Sequence, residues 1–234
     1  HGYGRLDVLL QRRRRAPPRP TDPGGSLGVL IAPSWGEQGL LETCGAQLVE
    51  VLLAAGFQVT LRPHPQLRRV NPDLLGRYRE RFAGRARFVY EDDVGTQDSF
   101  LQSDLMVSDW SGAALEYAFG LERPVLFIDV PRKVNNPDYG RLTTEPVEVT
   151  LRHDLGLVLA PERVAEAPEA ARRLVAEGAG RARHVAQLRS RYVFNVGASG
   201  ARGADAILRL AAATGVRRPA RGRTQRRGGH RGSR

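Results

Sequence analysis

Short apolar runs alternate with longer amphipathic stretches along most of this chain. Leu27 to Ala32, Phe57 to Leu61, Arg87 to Tyr90, Leu105 to Val107, Val125 to Ile128 and Leu157 to Leu159 are too brief for helices and suit buried strands. The stretches between them repeat apolar residues at helical spacing. Leu40 to Ala55 places Leu41, Leu48, Val51, Leu52 and Ala55 on roughly one face, and Gly56 ends it. Pro72 to Phe82 reads as a helix with proline early and Asn71 as its cap candidate. Gln97 to Gln102 is a short helical turn. After Asp129 the pattern thins: Val130 to Pro146 is a long loop and Val147 to Leu151 an extended piece. Helices follow over Pro161 to Glu177, Ala182 to Tyr192 and Ser199 to Ala213. Strands alternating with helices predict an α/β fold, a Rossmann-like parallel sheet with helices on both faces and right-handed crossovers.

The stretch from Asp104 to Asp129, DLMVSDWSGAALEYAFGLERPVLFID, organises the rest. It reads as strand, tight polar loop from Ser108 to Gly112, helix from Ala113 to Phe119, and a second strand opened by Pro124. Leu115 and Phe119 lie four apart on one helical face, and Gly120 is the expected stop. The loop falls at the C-terminal end of a strand, where open α/β sheets bind ligands. The helix after it aims free backbone N–H groups at that loop, an arrangement that attracts phosphate. Ser111 is either a plain helix cap or a cap that also donates its hydroxyl to a phosphate oxygen.

Composition divides the chain into three parts. Residues 1–26 are a junction followed by a basic Pro/Gly linker that begins at Arg12, residues 27–214 are the folded domain, and residues 215–234 are an Arg/Gly tail expected to be disordered. The net charge of +11 is carried almost wholly by arginine, with Lys133 the one lysine. An excess of Arg, Ala and Gly together points to codon bias, which lowers the information in any single arginine. One cysteine, Cys44, excludes an intrachain disulfide and fits a reducing compartment. No apolar run approaches the ~18 residues of a membrane-spanning helix. The chain begins at His1, so the expectation is a piece of a longer protein.

Two loops carry candidate chemistry. His64 stands between Pro63 and Pro65 directly after a strand. The prolines narrow the backbone on both sides, so the imidazole is either a fixed phosphate donor or acid–base group, or an exposed loop residue. Arg62 beside it can chelate phosphate oxygens. Asp109 either orients its own loop or faces a substrate hydroxyl. Glu116, on the helix after Ser111, is either a solvated glutamate or an acceptor for a ribose diol. His153 and Asp154 have no second pair at metal-ligand spacing, and neither a metal nor a cofactor is expected. Walker, G-x-G-x-x-G and G-x-S-x-G patterns are absent from the sequence.

These segments resemble the C-terminal half of the CDP-glycerol glycerophosphotransferases, the teichoic-acid type of polymerase and primase. Gly2-Tyr3-Gly4-Arg5-Leu6-Asp7 is similar to the junction after the family's first domain, with Gly4 where proline is usual. VLIAPSW (residues 29–35), LRPHP (61–65) and SDWSGAALEYAFGLERPVLFID (108–129) resemble three further family patterns, and NVGASGARGADAI (195–207) a fourth, weaker one. The resemblance implies the donor-binding half of a GT-B architecture. His64 would contact the donor pyrophosphate or aid the leaving group. Arg62, Ser108, Asp109, Ser111, Gly112 and Glu116 would bind donor and phosphate, with Gly112 where a second serine is common and Glu116 where Asp is frequent. The implied partners are CDP-glycerol or a related CDP-polyol and a polymer or glycolipid acceptor. The implied location is cytoplasmic, with peripheral contact to anionic membrane, and no specific nucleic acid is expected. The alternatives are a GT-B glycosyltransferase using a nucleotide sugar, and a non-enzymatic basic module that holds nucleic acid or anionic membrane.

Overall fold

Gly28–Ile31 forms β1, an inner strand of the sheet with every residue buried. The computed structural model describes residues 2–17, 25–93, 95–132, 134 and 136–214. The linker residues 18–24, Lys133 and the tail 215–234 lie outside the described residues. In chain order the elements are α1 (Gly4–Arg15), β1, α2 (Leu40–Thr43), α3 (Gly45–Ala54), β2 (Gln58–Leu61), α4 (Leu67–Val70) and α5 (Pro72–Phe82). Then come β3 (Phe88–Tyr90), α6 (Asp98–Gln102), β4 (Leu105–Ser108), α7 (Ala113–Leu121) and β5 (Val125–Ile128). After a 3-10 turn at Pro137–Arg141 follow α8 (Val147–Thr150), α9 (Arg152–Leu155), β6 (Gly156–Leu159), a 3-10 segment at Pro161–Glu166, α10 (Ala167–Ala176), α11 (Gly178–Tyr192) and α12 (Ser199–Ala213).

The strands make one parallel sheet in the order β3-β2-β1-β4-β5-β6. Side chains alternate between its two faces. Val29, Ile31, Leu105, Val107, Leu126 and Ile128 enter one core with α3, α5 and α10. Leu30, Met106, Val125 and Phe127 enter the other, with α1, α7 and α11. Both faces are therefore covered, which is why the strands read as continuous apolar runs. The architecture is Rossmann-like and GT-B-like, as expected from the pattern.

Several local expectations are corrected. Arg12 to Arg15 are the last turn of α1 rather than the start of a linker. Leu6, Leu9 and Leu10 bury this helix against α7. Arg12 pairs with Asp98, and Arg13 with Glu122 at 2.7 Å. Asp7 on the same helix accepts backbone N–H bonds from Gly197 (2.6 Å) and Ser199 (2.9 Å), which fastens the start of α12. The helix expected over Leu40 to Ala55 is broken at Cys44. The Tyr78 hydroxyl donates to the Leu41 carbonyl at 2.9 Å, taking the acceptor that a continuous helix would offer to the N–H of Gly45. Val147–Thr150 is helical rather than extended, with the N–H of Val149 bonded to the Pro146 carbonyl at 2.9 Å.

Gly120 is inside α7, not its stop. The helix ends at Glu122, which adopts the left-handed conformation with φ 56°. Gly120 instead permits the close approach of α1: a Cβ there would lie 2.7 Å from Leu9 Cγ, whose side chain is wholly buried. Gly to Ala inside a helix normally stabilises by about 0.5–1 kcal/mol. Here the sign should reverse. Gly120→Ala is expected to destabilise the chain by roughly 1–3 kcal/mol, the usual cost of overpacking. Chemical denaturation of wild type and variant checks this, and a stabilised variant would remove the close-packing role of Gly120.

Candidate functional site

β1 and β4 are neighbours in the sheet although β2 and β3 intervene in sequence, so the chain departs from them toward opposite edges. Ligands of open α/β sheets bind at such a switch point, beyond the strands' C-terminal ends. The loops after β1, β2 and β4 meet there.

Ser108 and Asp109 fix the loops at their roots. Ser108 is the last residue of β4, fully buried, and its hydroxyl donates to the Ala32 carbonyl at 2.7 Å. Asp109 is equally buried. Its Oδ1 accepts the N–H of Ser34 at 2.6 Å and its Oδ2 that of Leu40 at 3.2 Å. Both were expected among donor ligands. Their polar atoms face inward to the loop after β1, and neither lines the cleft beside them.

That cleft has a volume of about 330 Å³ and brings together Arg62, His64, Ser111, Gly112 and Glu116 with one residue not anticipated, Arg5. The loop after β2 supplies His64. Its Nδ1 accepts the N–H of Gln66 at 3.2 Å, so the neutral ring carries its proton on Nε2. Trp35 lies beside the ring, with centroids 6.2 Å apart. Ser111, one residue before the cap position, accepts the N–H of Ala113, the first residue of α7, at 3.3 Å. That bond and a role in the cleft are compatible: a hydroxyl that accepts through a lone pair keeps its O–H to donate. Gly112 is the cap residue by position.

Arg62 is buried, and its Nη1 donates to the Thr96 carbonyl (2.9 Å) and the Ser99 hydroxyl (3.0 Å). Glu91 lies 3.5 Å away, and the guanidinium stacks over Phe100 at 5.1 Å. Burial pulls its pKa down, and Glu91 opposes that. These contacts tie β2 to the segment around α6.

Glu116 is not a solvated glutamate. It is 8% exposed. The Tyr3 hydroxyl donates to its Oε1, and Arg5 Nε lies 3.1 Å from the same oxygen. Its Oε2 is buried and has no hydrogen-bond partner among the described residues. Burial, then the bond to Glu116, pushes the Tyr3 phenol up to about 12. Glu116 and Gly112 also border a second cavity of about 450 Å³, walled by Leu6, Leu115, Phe119 and Val193. Tyr3 and Arg5 were seen in sequence only as part of the junction pattern. That pattern was the signal that could have marked them, but nothing in it says that α1 folds back onto α7.

Residues 1–133 match the family described as CDP-Glycerol:Poly(glycerophosphate) glycerophosphotransferase. The chain belongs to this family. Among solved structures it is similar to the wall teichoic acid polymerase TagF, at 18% identity and a TM-score of 0.50, over 92% of this chain and 52% of that one. A TagF variant soaked with CDPG for 30 minutes gives 18% identity and a TM-score of 0.51, over 92% of this chain and 51% of that one. A putative UDP-N-acetylglucosamine 2-epimerase from Listeria monocytogenes gives 16% and 0.51, over 93% and 54%. At these identities the likeness is one of fold. The chain spans about half the length of these structures. No curated protein matches it by sequence. Among the described residues no helix is long and apolar enough to cross a membrane.

Asp109→Ala removes a charged acceptor from two backbone donors. It is expected to lower stability by about 3 kcal/mol, since hydrogen bonds to a charged group each contribute roughly 1.5–3 kcal/mol. It should also raise amide exchange at Ser34 and Leu40. Unchanged exchange at both positions would refute the anchoring role.

Proposed function

We propose that this chain is the donor-binding half of a GT-B transferase, and that its cleft takes CDP-glycerol or a related CDP-polyol. Transfer would be to an acceptor hydroxyl on a polymer or glycolipid of the cell surface. The observation that carries this reading is that His64, Ser111 and the start of α7 line the same cleft at the switch point. Family membership supports the donor class.

In this reading the acceptor oxygen attacks the phosphorus that bears glycerol. The bond from that phosphorus to the bridging oxygen breaks, and CMP departs with the electron pair. Negative charge grows on the bridging oxygen and on the phosphate that leaves. Preorganised donors aimed at such charge lower the barrier. The positive end of the α7 dipole, the Ser111 hydroxyl and the Nε2 proton of His64 supply that stabilisation. Glu116, in the wall of the cleft, is the candidate acceptor for the ribose hydroxyls. The acceptor's proton passes to a base outside this chain. Such an enzyme works in the cytoplasm, at the inner face of the membrane where a glycolipid acceptor is presented.

Two measurements test the reading. CDP-glycerol or CDP-ribitol should raise the melting temperature of the chain more than UDP-sugars do; the reverse order would point to a nucleotide-sugar transferase. In the complete enzyme, His64→Ala should lower transfer by about a hundredfold, the scale of one positioned acid–base group. Turnover equal to wild type would remove His64 from the mechanism.

A further inference from the structure

Two arginines line the cleft, and their environments differ. Arg62 has a side chain only 9% exposed and donates into the protein, to Thr96 and Ser99, while it stacks on Phe100. Turning it toward a ligand would break those bonds and leave Glu91 with a weakened partner. Arg5 has a side chain 66% exposed. Its contact with Glu116 is made through Nε, at 3.1 Å.

That contact sets its direction. The Glu116 oxygen that Arg5 meets is also held by the Tyr3 hydroxyl, and the carboxylate itself is 9% exposed. The anchor is therefore fixed from two sides by residues of the leading segment. A guanidinium is planar and rigid. Held by Nε, it retains the edge formed by its two terminal nitrogens, and that edge matches two oxygens of a phosphate. Arg5 is also close enough to Arg62 for their charges to repel. An anion in the cleft relieves that repulsion.

We propose that Arg5 is the cation that receives the diphosphate in this cleft, that Glu116 is its positioning residue, and that Arg62 is structural. The proposal rests on the cleft being a nucleotide diphosphate site. It moves the phosphate contact from the strand-end arginine, next to His64 in sequence, to a helix that comes from the other end of the domain.

Calorimetric titration of the 234-residue chain with cytidine, CDP and inorganic pyrophosphate tests it. Arg5→Gln should weaken CDP and pyrophosphate by about tenfold to a hundredfold, the range of a charge-assisted bond, and leave cytidine within about twofold. Arg5→Lys keeps the charge on a compact head without the fork. It should weaken CDP by an intermediate factor and leave cytidine unchanged, and it serves if the Gln variant folds poorly. Wild-type CDP affinity in both variants overturns the role of Arg5 and leaves the cleft reading standing. Equal losses for cytidine and CDP also overturn it, because the effect would then not follow phosphate. If the wild type binds neither CDP nor pyrophosphate, the cleft reading fails and the assignment of Arg5 falls with it.

Discussion

One buried carboxylate sets the shape of the switch point. Asp109 leaves β4 and accepts N–H groups from both ends of the loop after β1, at Ser34 and Leu40. Without it, two backbone donors would be left unpaired beside the sheet, each at a cost of about 1–3 kcal/mol. The Ser108 hydroxyl on the Ala32 carbonyl makes a third fastening one residue earlier. The strands β1 and β4 are thus locked together where the sheet would otherwise open. Ala32 and Pro33 on one side and the start of α7 on the other are walls of the cleft tied to these fastenings. A site whose donors are already placed gains electrostatic stabilisation with little reorganisation during reaction.

The second constraint comes from the leading helix. Gly120 and the buried Leu6 and Leu9 bring α1 hard against α7. The end of α7 is pinned as well. Glu122, in a left-handed conformation that a residue with a Cβ adopts at some cost, is held by Arg13 at 2.7 Å and Arg189 at 2.8 Å. Arg13 holds its carboxyl below the usual range against partial burial, and Arg189 adds to this. Three helices, α1, α7 and α11, are joined at that point. This packing presents Tyr3 and Arg5 to Glu116, one turn into α7. The surroundings of Glu116 near the start of α7 therefore depend on an element that composition alone assigns to a junction and linker.

How far the sequence could be read follows from where each signal originates. The strands were legible because burial on both faces makes them short, continuous apolar runs. Helix ends set by local chemistry were also legible: Asn71 caps α5 by accepting the N–H of Leu74 at 3.2 Å. Ends set by distant residues were not. Near the break at Cys44 the Leu41 carbonyl is met by Tyr78, and Gly120 inside α7 faces Leu9, both from distant segments. At the site, five of the expected residues, one of them a glycine, line one cleft. What residue types and chain positions could not supply was direction. Ser108 and Asp109 sit in a polar motif that reads as ligand-binding, yet face inward. Glu116 reads as a solvated glutamate until α1 covers it. Arginine-rich composition hid the difference between Arg5 and Arg62, because only burial and bonding separate them.

The charge pattern of the cleft limits what it suits. Net charge is no guide, since many arginines are paired within the fold, as Arg13, Arg152 and Arg189 are. Within the cleft the arrangement is polarised rather than uniformly positive. Arg5, the imidazole of His64 and the start of α7 favour an anion, while the Glu116 carboxylate, held by Tyr3 and Arg5, is the acidic group in its wall. The cleft thus joins an anion-favouring end to a carboxylate wall within one turn of α7. A polyanion with no hydroxyl beside its phosphates, such as a DNA backbone, suits the first feature and not the second. A nucleoside diphosphate, with its ribose next to its phosphates, satisfies both.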